Sequence, residues 1–241
     1  MALFGMTTAV VLQPSFVPWR GYFDLIRRAD VFVFYDDVQY DKHGWRNRNR
    51  IKTASGPRWL TIPVHAAGNT VDGLPIREVR IDWSRDWRRA HVEQLRHAYA
   101  RAPFYRDHAA FVDELYAAKP ELLADFTIET TIALAKVLGL DGTHFVRSSQ
   151  LGACGAKTDR LLQVLSKTGA TRYISGPSAR AYIEEEKFRD AGIALEYITY
   201  DYQPYPQLHP PYDANVSILD LLFMTGPQAS SFIRPATQAV A

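Results

Sequence analysis

Two short apolar runs, Thr8 to Leu12 and Val31 to Tyr35, flank a single stretch of helical spacing, and this triplet constrains the fold more than any other feature of the chain. The first run is β-branched and stops at Gln13-Pro14, which reads as a buried strand. After a Pro-punctuated loop through Pro18, the residues Tyr22, Phe23, Leu25, Ile26 and Ala29 recur on one helical face. Val31 to Tyr35 then reads as a second buried strand, closed by Asp36-Asp37. Strand, short helix and strand within about 30 residues make a βαβ unit, so the two strands are expected to be parallel neighbours joined by a right-handed crossover.

The middle of the chain is less regular. Arg58 to Val64 and Glu78 to Ile81 read as strands, followed by helices over Asp86 to Ala100, Tyr105 to Ala118 and Leu122 to Leu138. Alternation then returns, with strands at Thr143 to Val146, Tyr173 to Ser175 and Ile193 to Tyr200. Helices are expected over Lys157 to Thr168, from Ser178 to Arg189, and over Asn215 to Met224. No repeat or linker divides the chain. The expected architecture is a single α/β domain over residues 1–241, with a parallel sheet of Rossmann-like or nucleotidyltransferase-like plan and a helical insertion near 86–138.

Charge and cysteine content narrow the function classes. Lys plus Arg is 28 against 26 for Asp plus Glu, a formal charge of +2, which argues against a generally nucleic-acid-bound or anionic-membrane protein. The one cysteine, Cys154, excludes an intramolecular disulfide framework and any Cys-rich metal site. The first basic residue is Arg20, and no apolar run approaches the roughly 18 residues of a bilayer span, so a cytoplasmic location is expected.

Four stretches carry a resemblance. They are Gln13-Pro14-Ser15-Phe16-Val17-Pro18-Trp19-Arg20-Gly21-Tyr22-Phe23, then Tyr35-Asp36-Asp37-Val38-Gln39-Tyr40, then Gly44-Trp45-Arg46-Asn47-Arg48-Asn49-Arg50-Ile51, and Trp59-Leu60-Thr61-Ile62-Pro63-Val64. With Tyr173-Ile174-Ser175-Gly176-Pro177 and Ser217 to Phe223, the chain resembles the WbqC-like protein family over nearly its whole length. The resemblance implies a place in bacterial O-antigen, other sugar or natural-product biosynthesis, and a glycine-transferase role that places an aminoacyl group on an amino sugar. It assigns no catalytic residues, so these are sought in the chain itself.

Parallel strands open their carboxyl ends on one rim, which brings Gln13, Asp36 and Asp37 together beside the start of a helix near Gly21. Asp37 or His91 is expected as general base with Asp36 beside it, although two acids after a strand also suit a plain turn. Trp19, Tyr22 and Gln39 are also expected to bind substrate. From Lys42 to Lys52, five basic residues alternate with Trp45, Asn47 and Asn49; with Arg48 these read as a binding surface for phosphate, carboxylate or a ring. The competing reading is a solvated edge strand, whose other face would then bury Asn47 and Asn49, an odd choice. Gly176 and Ser178 form a second candidate rim at a strand-to-helix junction, and Asp220 is either an exposed first-turn acid or turned inward. None of the seven histidines has metal-ligand spacing, and no cofactor is expected.

Trp19-Arg20-Gly21-Tyr22 also occupies the place of the His-x-Gly-His signature of adenylate-forming ligases and nucleotidyltransferases, with both histidines replaced. The leading expectation is acyl or aminoacyl, glycyl-like, transfer to the amino group of a sugar or related small molecule. The activated donor is a carrier-protein thioester, an aminoacyl-tRNA or an acyl phosphate; no other nucleic acid and no membrane is expected. The alternatives are an ATP-dependent adenylating amide ligase and a non-catalytic partner in a biosynthetic complex, the latter requiring a shallow basic face without an enclosed pocket.

Overall fold

A computed structural model of the chain describes residues 6–65 and 73–235. The opening triplet folds as its pattern requires: β1 (Thr8–Leu12), α1 (Arg20–Arg28) and β2 (Val31–Phe34), with Ala9 opposite Val31 and Leu12 opposite Phe34 in parallel register. Two antiparallel pairs follow, β3 (Arg48–Thr53) with β4 (Gly56–Thr61), and β5 (Val64–His65) with β6 (Arg80–Ile81). Helices α2 (Trp87–Tyr99), α3 (Tyr105–Ala117) and α4 (Leu123–Val137) precede β7 (His144–Arg147). The chain continues through α5 (Lys157–Lys167), β8 (Arg172–Ser175), α6 (Glu185–Asp190), β9 (Ala194–Tyr197), α7 (Ile218–Thr225) and α8 (Ala229–Phe232).

Five strands form one parallel sheet in the order β7-β2-β1-β8-β9. From β1 the chain builds outward through β2 and β7, then crosses back to lay β8 on the other side of β1. Strand order therefore reverses between β1 and β8, and a crevice opens at the carboxyl ends there. Both faces are covered. Val10, Phe32 and Phe34 pack into the core that contains Tyr22, Phe23 and Ile26 of α1, while Ala9, Val11 and Val33 pack with Leu161, Val164, Leu165 and Phe188. Burial on both faces is why these strands read as unbroken apolar runs instead of alternating ones. Each fully buried Phe, Leu or Ile here contributes roughly 1.5–3 kcal/mol.

Several boundaries differ from the sequence reading for local reasons. The strand expected over Arg58 to Val64 breaks at Pro63, which has no N–H to donate, so β4 ends at Thr61 and β5 begins at Val64. Glu78 closes a 3-10 turn at Ile76–Glu78, leaving only Arg80–Ile81 as strand. The helix expected from Ser178 to Arg189 is a 3-10 turn, Pro177–Ala181, followed by α6; the turn's N-cap is Gly176, and Ser178 caps nothing. The last long helix starts at Ile218 instead of Asn215 because the Ser217 hydroxyl accepts from Leu219 N at 3.3 Å.

Residues 198–217 have no regular structure and run as a strap from the end of β9 to α7. Arg20 fastens this strap through Nη1 to the Gln203 carbonyl at 2.7 Å, with its guanidinium 4.9 Å from the Tyr202 ring centre. Among the described residues, no helix is long and apolar enough to cross a membrane.

Candidate functional site

The crevice at the strand-order reversal holds a pocket of about 520 Å³. Its floor is the end of β1, Val11 through Gln13, with Tyr35 and Val38 from the segment after β2. Trp19, Tyr22 and Leu25 of the α1 region form one wall. Tyr182 and Tyr200, which follow β8 and β9, also line it, together with Asn215 at the far end of the strap. Trp45, Arg46 and Asn49 arrive from the start of the β3–β4 hairpin. The volume lies within the roughly 300–1,000 Å³ range of small-molecule sites.

Local packing holds the walls in place. Gly21 lies against Trp19 so closely that a Cβ there would come within 2.4 Å of the indole, so glycine is what lets this indole lie across the first turn of α1. Trp19 meets the Tyr200 ring edge-on at 4.9 Å between centres, and the Tyr200 hydroxyl approaches Gly176, where a Cβ would sit 3.0 Å away. Gly176 thus admits Tyr200 to the wall without itself lining the pocket.

The arginine-asparagine segment is built differently from either sequence reading. Only Arg48 onward is strand, and residues 45–47 form a short connection pinned on both sides. Phe16 N donates to the Trp45 carbonyl at 3.1 Å and Ile62 N to the Asn47 carbonyl at 2.8 Å, while Asn47 Nδ2 donates to the Ile62 carbonyl at 2.8 Å. Asn49 Nδ2 donates to the carbonyls of Phe16 and Val17 at 3.0 and 2.8 Å, holding Val17 at a φ of 34° that valine rarely adopts. Buried asparagines on this face are therefore backbone clasps, which resolves the oddity of polar residues on a buried side. Asn49→Ala strips a donor from two buried carbonyls and is expected to cost about 2–3 kcal/mol of stability in urea denaturation, with Asn49→Asp intermediate.

What the clasps position is Arg46, one of the five basic residues of the expected binding stretch but not one singled out there. Its Nη1 donates to Gln13 Oε1 at 2.8 Å, and Tyr22 Oη donates to the Gln13 carbonyl at 3.1 Å. Arg46 Nε is shielded from solvent and has no acceptor. Desolvation pulls the guanidinium's pKa below its ordinary value, while burial raises the Tyr22 phenol and pushes Tyr40 up to about 12, so both neighbours stay neutral.

Other expected site residues lie elsewhere. Asp36 is fully buried and accepts from Ser149 N at 3.0 Å, Ser149 Oγ at 2.9 Å and Ser148 Oγ at 3.1 Å. Asp37 pairs with Arg160 at 2.6 Å, and Arg160 in turn lies over Tyr35. The two acids tie the end of β2 to the turn after β7, and neither lines the pocket. Gln39 is exposed and forms an isolated bridge with Pro75. Arg48 stacks on Trp59, 4.5 Å from the ring centre, and Ser178 is exposed. Asp220 turns inward but sits beneath the strap, away from the pocket.

His91 is buried among Phe16, Trp87 and Tyr116. Its Nε2 lies 3.1 Å from the Thr61 carbonyl, which only accepts, so the proton is on Nε2 and Nδ1 faces the Tyr116 hydroxyl at 3.4 Å. Burial lowers its pKa to about 4. The neutral form is the folded one, so the unfolded chain binds the extra proton between about pH 6.5 and 4. Stability is therefore full above that window and is expected to fall by about 3 kcal/mol across it as pH drops. His91→Gln should flatten this part of a pH–stability curve.

Missing from the sequence reading besides Arg46 are Tyr35, Tyr182 and Tyr200. Tyr200 stood in view as one of a dense run with Tyr197, Tyr202 and Tyr205, the signal that would have found it. Among the described residues, no group of three His, Cys, Asp or Glu side chains converges as a metal site.

Fold and crevice define a doubly wound α/β protein with an aromatic small-molecule pocket at its strand-order reversal. The family comparison matches residues 13–232, and the chain belongs to the WbqC-like protein family. It is 38% identical over 235 residues to a Mycobacterium tuberculosis (strain ATCC 25618 / H37Rv) protein described as uncharacterized protein Rv1507c, covering 97% of this chain and 100% of that one. No solved structure matches it.

Proposed function

We propose that this protein transfers an acyl or aminoacyl group, glycyl-like, from an activated donor to the amine of a sugar or related small molecule, in surface-polysaccharide or natural-product biosynthesis in the cytoplasm. The observation that carries the reading is the pocket itself: a half-open, aromatic-lined cleft at the switch point, pre-formed by clasped backbone. A non-catalytic partner would need only the basic outer face of the β3–β4 hairpin.

In this reaction the amine nitrogen attacks the acyl carbon, the C–N bond forms, and the bond to the leaving group breaks. Among the described residues, no carboxylate or imidazole lines the pocket, so the amine's proton departs with the leaving group. Catalysis then rests on positioning and on donors for the developing oxyanion. Gln13 supplies an accessible Nε2, its Oε1 being held by Arg46.

Purified protein given thioester, acyl-phosphate and aminoacyl-tRNA donors with an amino sugar should yield an amide by mass spectrometry. Its rate should rise with pH as the acceptor amine deprotonates, without an inflection near pH 6.5. Absence of amide with every donor class overturns the reading, and acceptor-dependent pyrophosphate release from ATP would favour an adenylating ligase instead.

A further inference from the structure

Arg46 is a cation in a pocket wall that makes no ion pair among the described residues. Its Nη1 donates to the neutral Gln13 amide, and no carboxylate lies within ion-pair distance among the described residues. The Asp41 charge acts on Arg46 from beyond ion-pair distance, and its Oδ1 accepts from His43 N at 2.9 Å. Arg27 and Arg28 are held by Asp24, Arg147 by Asp125, Arg160 by Asp37 and the buried Arg20 by two backbone carbonyls, whereas Arg46 spends Nη1 on the Gln13 amide alone and lines the pocket. At Arg46 the partner is left to whatever enters the pocket.

The rest of the wall narrows that ligand's chemistry. One guanidinium with the Gln13 amide offers a single positive charge and planar donors, which match a carboxylate in charge and geometry. A terminal phosphate, at roughly −1.5 to −2 near neutral pH, would remain under-compensated. Trp19 and Tyr200 meet as a continuous aromatic wall across the same space, with Trp45 at the mouth about two-fifths exposed, at 41%. Such surfaces take the faces of rings.

We infer that the pocket binds a ring compound carrying one carboxylate, with the carboxylate on Arg46 and Gln13 and the ring against Trp19 and Tyr200. This deepens the transfer reading by naming the chemistry of the molecule that pocket holds, and it rests on the pocket being the site of that reaction.

Isothermal titration of the full chain with 4-phenylbenzoate, indole-3-acetate and glucuronate tests it without requiring turnover. At least one ring carboxylate should bind, its neutral primary amide at least tenfold more weakly, and phenyl phosphate no better than the carboxylates. Affinity should fall at least tenfold in Arg46→Gln, partly recover in Arg46→Lys, and stay unchanged in the surface control Arg58→Gln. The carboxylate–amide comparison uses the unaltered protein, so it stands even if a variant misfolds. Binding with equal affinity for acid and amide, binding preferring phosphate, or no carboxylate-dependent heat in any arm overturns the inference. Carboxylate binding without amide formation keeps this inference and removes the transfer reading; amide formation without carboxylate dependence does the reverse.

Discussion

Asp220→Ala should destabilise the protein by about 3–5 kcal/mol, a large part of the roughly 5–15 kcal/mol a domain of this kind has in hand. The carboxylate is fully buried and accepts from Tyr99 Oη at 2.8 Å, Tyr205 Oη at 2.8 Å and Gln207 Nε2 at 2.9 Å. Burial pushes its pKa up, and these three donors together with the nearby Lys52 charge work against that push. Alanine leaves the Tyr99 and Tyr205 hydroxyls without their acceptor, at about 1–3 kcal/mol each before relaxation, while Gln207 Nε2 keeps the Asp213 carbonyl. Asn keeps one oxygen and the shape, so Asp220→Asn should cost about half as much. The loss also has a spatial consequence. Tyr205 and Gln207 belong to the strap, and Gln207 further accepts from Asp213 N at 2.8 Å and donates to its carbonyl at 3.0 Å. Freeing the strap loosens Tyr200 and Asn215, its two contributions to the pocket wall. Urea denaturation gives the stability loss; weakened ligand binding in the milder Asp220→Asn variant gives the coupling to the site.

Arg46→Met should lower transfer at least 100-fold while leaving the melting temperature unchanged or raised. The two effects have one cause. A half-buried guanidinium without an ion-pair partner is poorly solvated in the empty protein, and the Gln13 bond offsets only part of that cost. Methionine fills similar space and removes the charge, so the folded state gains or breaks even. The bound ligand, however, loses its charge partner, and 100-fold corresponds to about 2.7 kcal/mol. An arginine serving only to hold the hairpin would behave oppositely, losing stability and sparing turnover. Kinetics and a thermal melt on one preparation separate the two.

Periodicity and punctuation made much of the fold legible. The strands flanking α1, the Pro14 stop and the helices of the middle third all express local rules that operate within a few residues. The rim was legible too, since two parallel strands must open on the same side, and this placed Gln13, Trp19 and Tyr22 correctly beside one another. What escaped depended on distant partners. Asp36 and Asp37 face residues 148, 149 and 160, and those partners turn a candidate acid–base pair into a structural tie. Likewise, alternation along 46–50 presumed that Arg46 lay in the strand. Its exclusion follows from bonds to Phe16 and Ile62 that no local pattern records. Tyr182 and Tyr200 reach the pocket only because β8 returns beside β1, a crossover that spacing cannot specify.

The central claim is that chemistry takes place in the pocket at the strand-order reversal and not at the acidic pair after β2. Amide yield per folded protein, measured by mass spectrometry for the unaltered chain, Arg46→Met and Asp37→Asn side by side, tests it most directly. The expected result is a loss of at least 100-fold in Arg46→Met and a yield within about threefold of the unaltered protein in Asp37→Asn. Turnover abolished in a folded Asp37→Asn and retained in Arg46→Met would contradict the account.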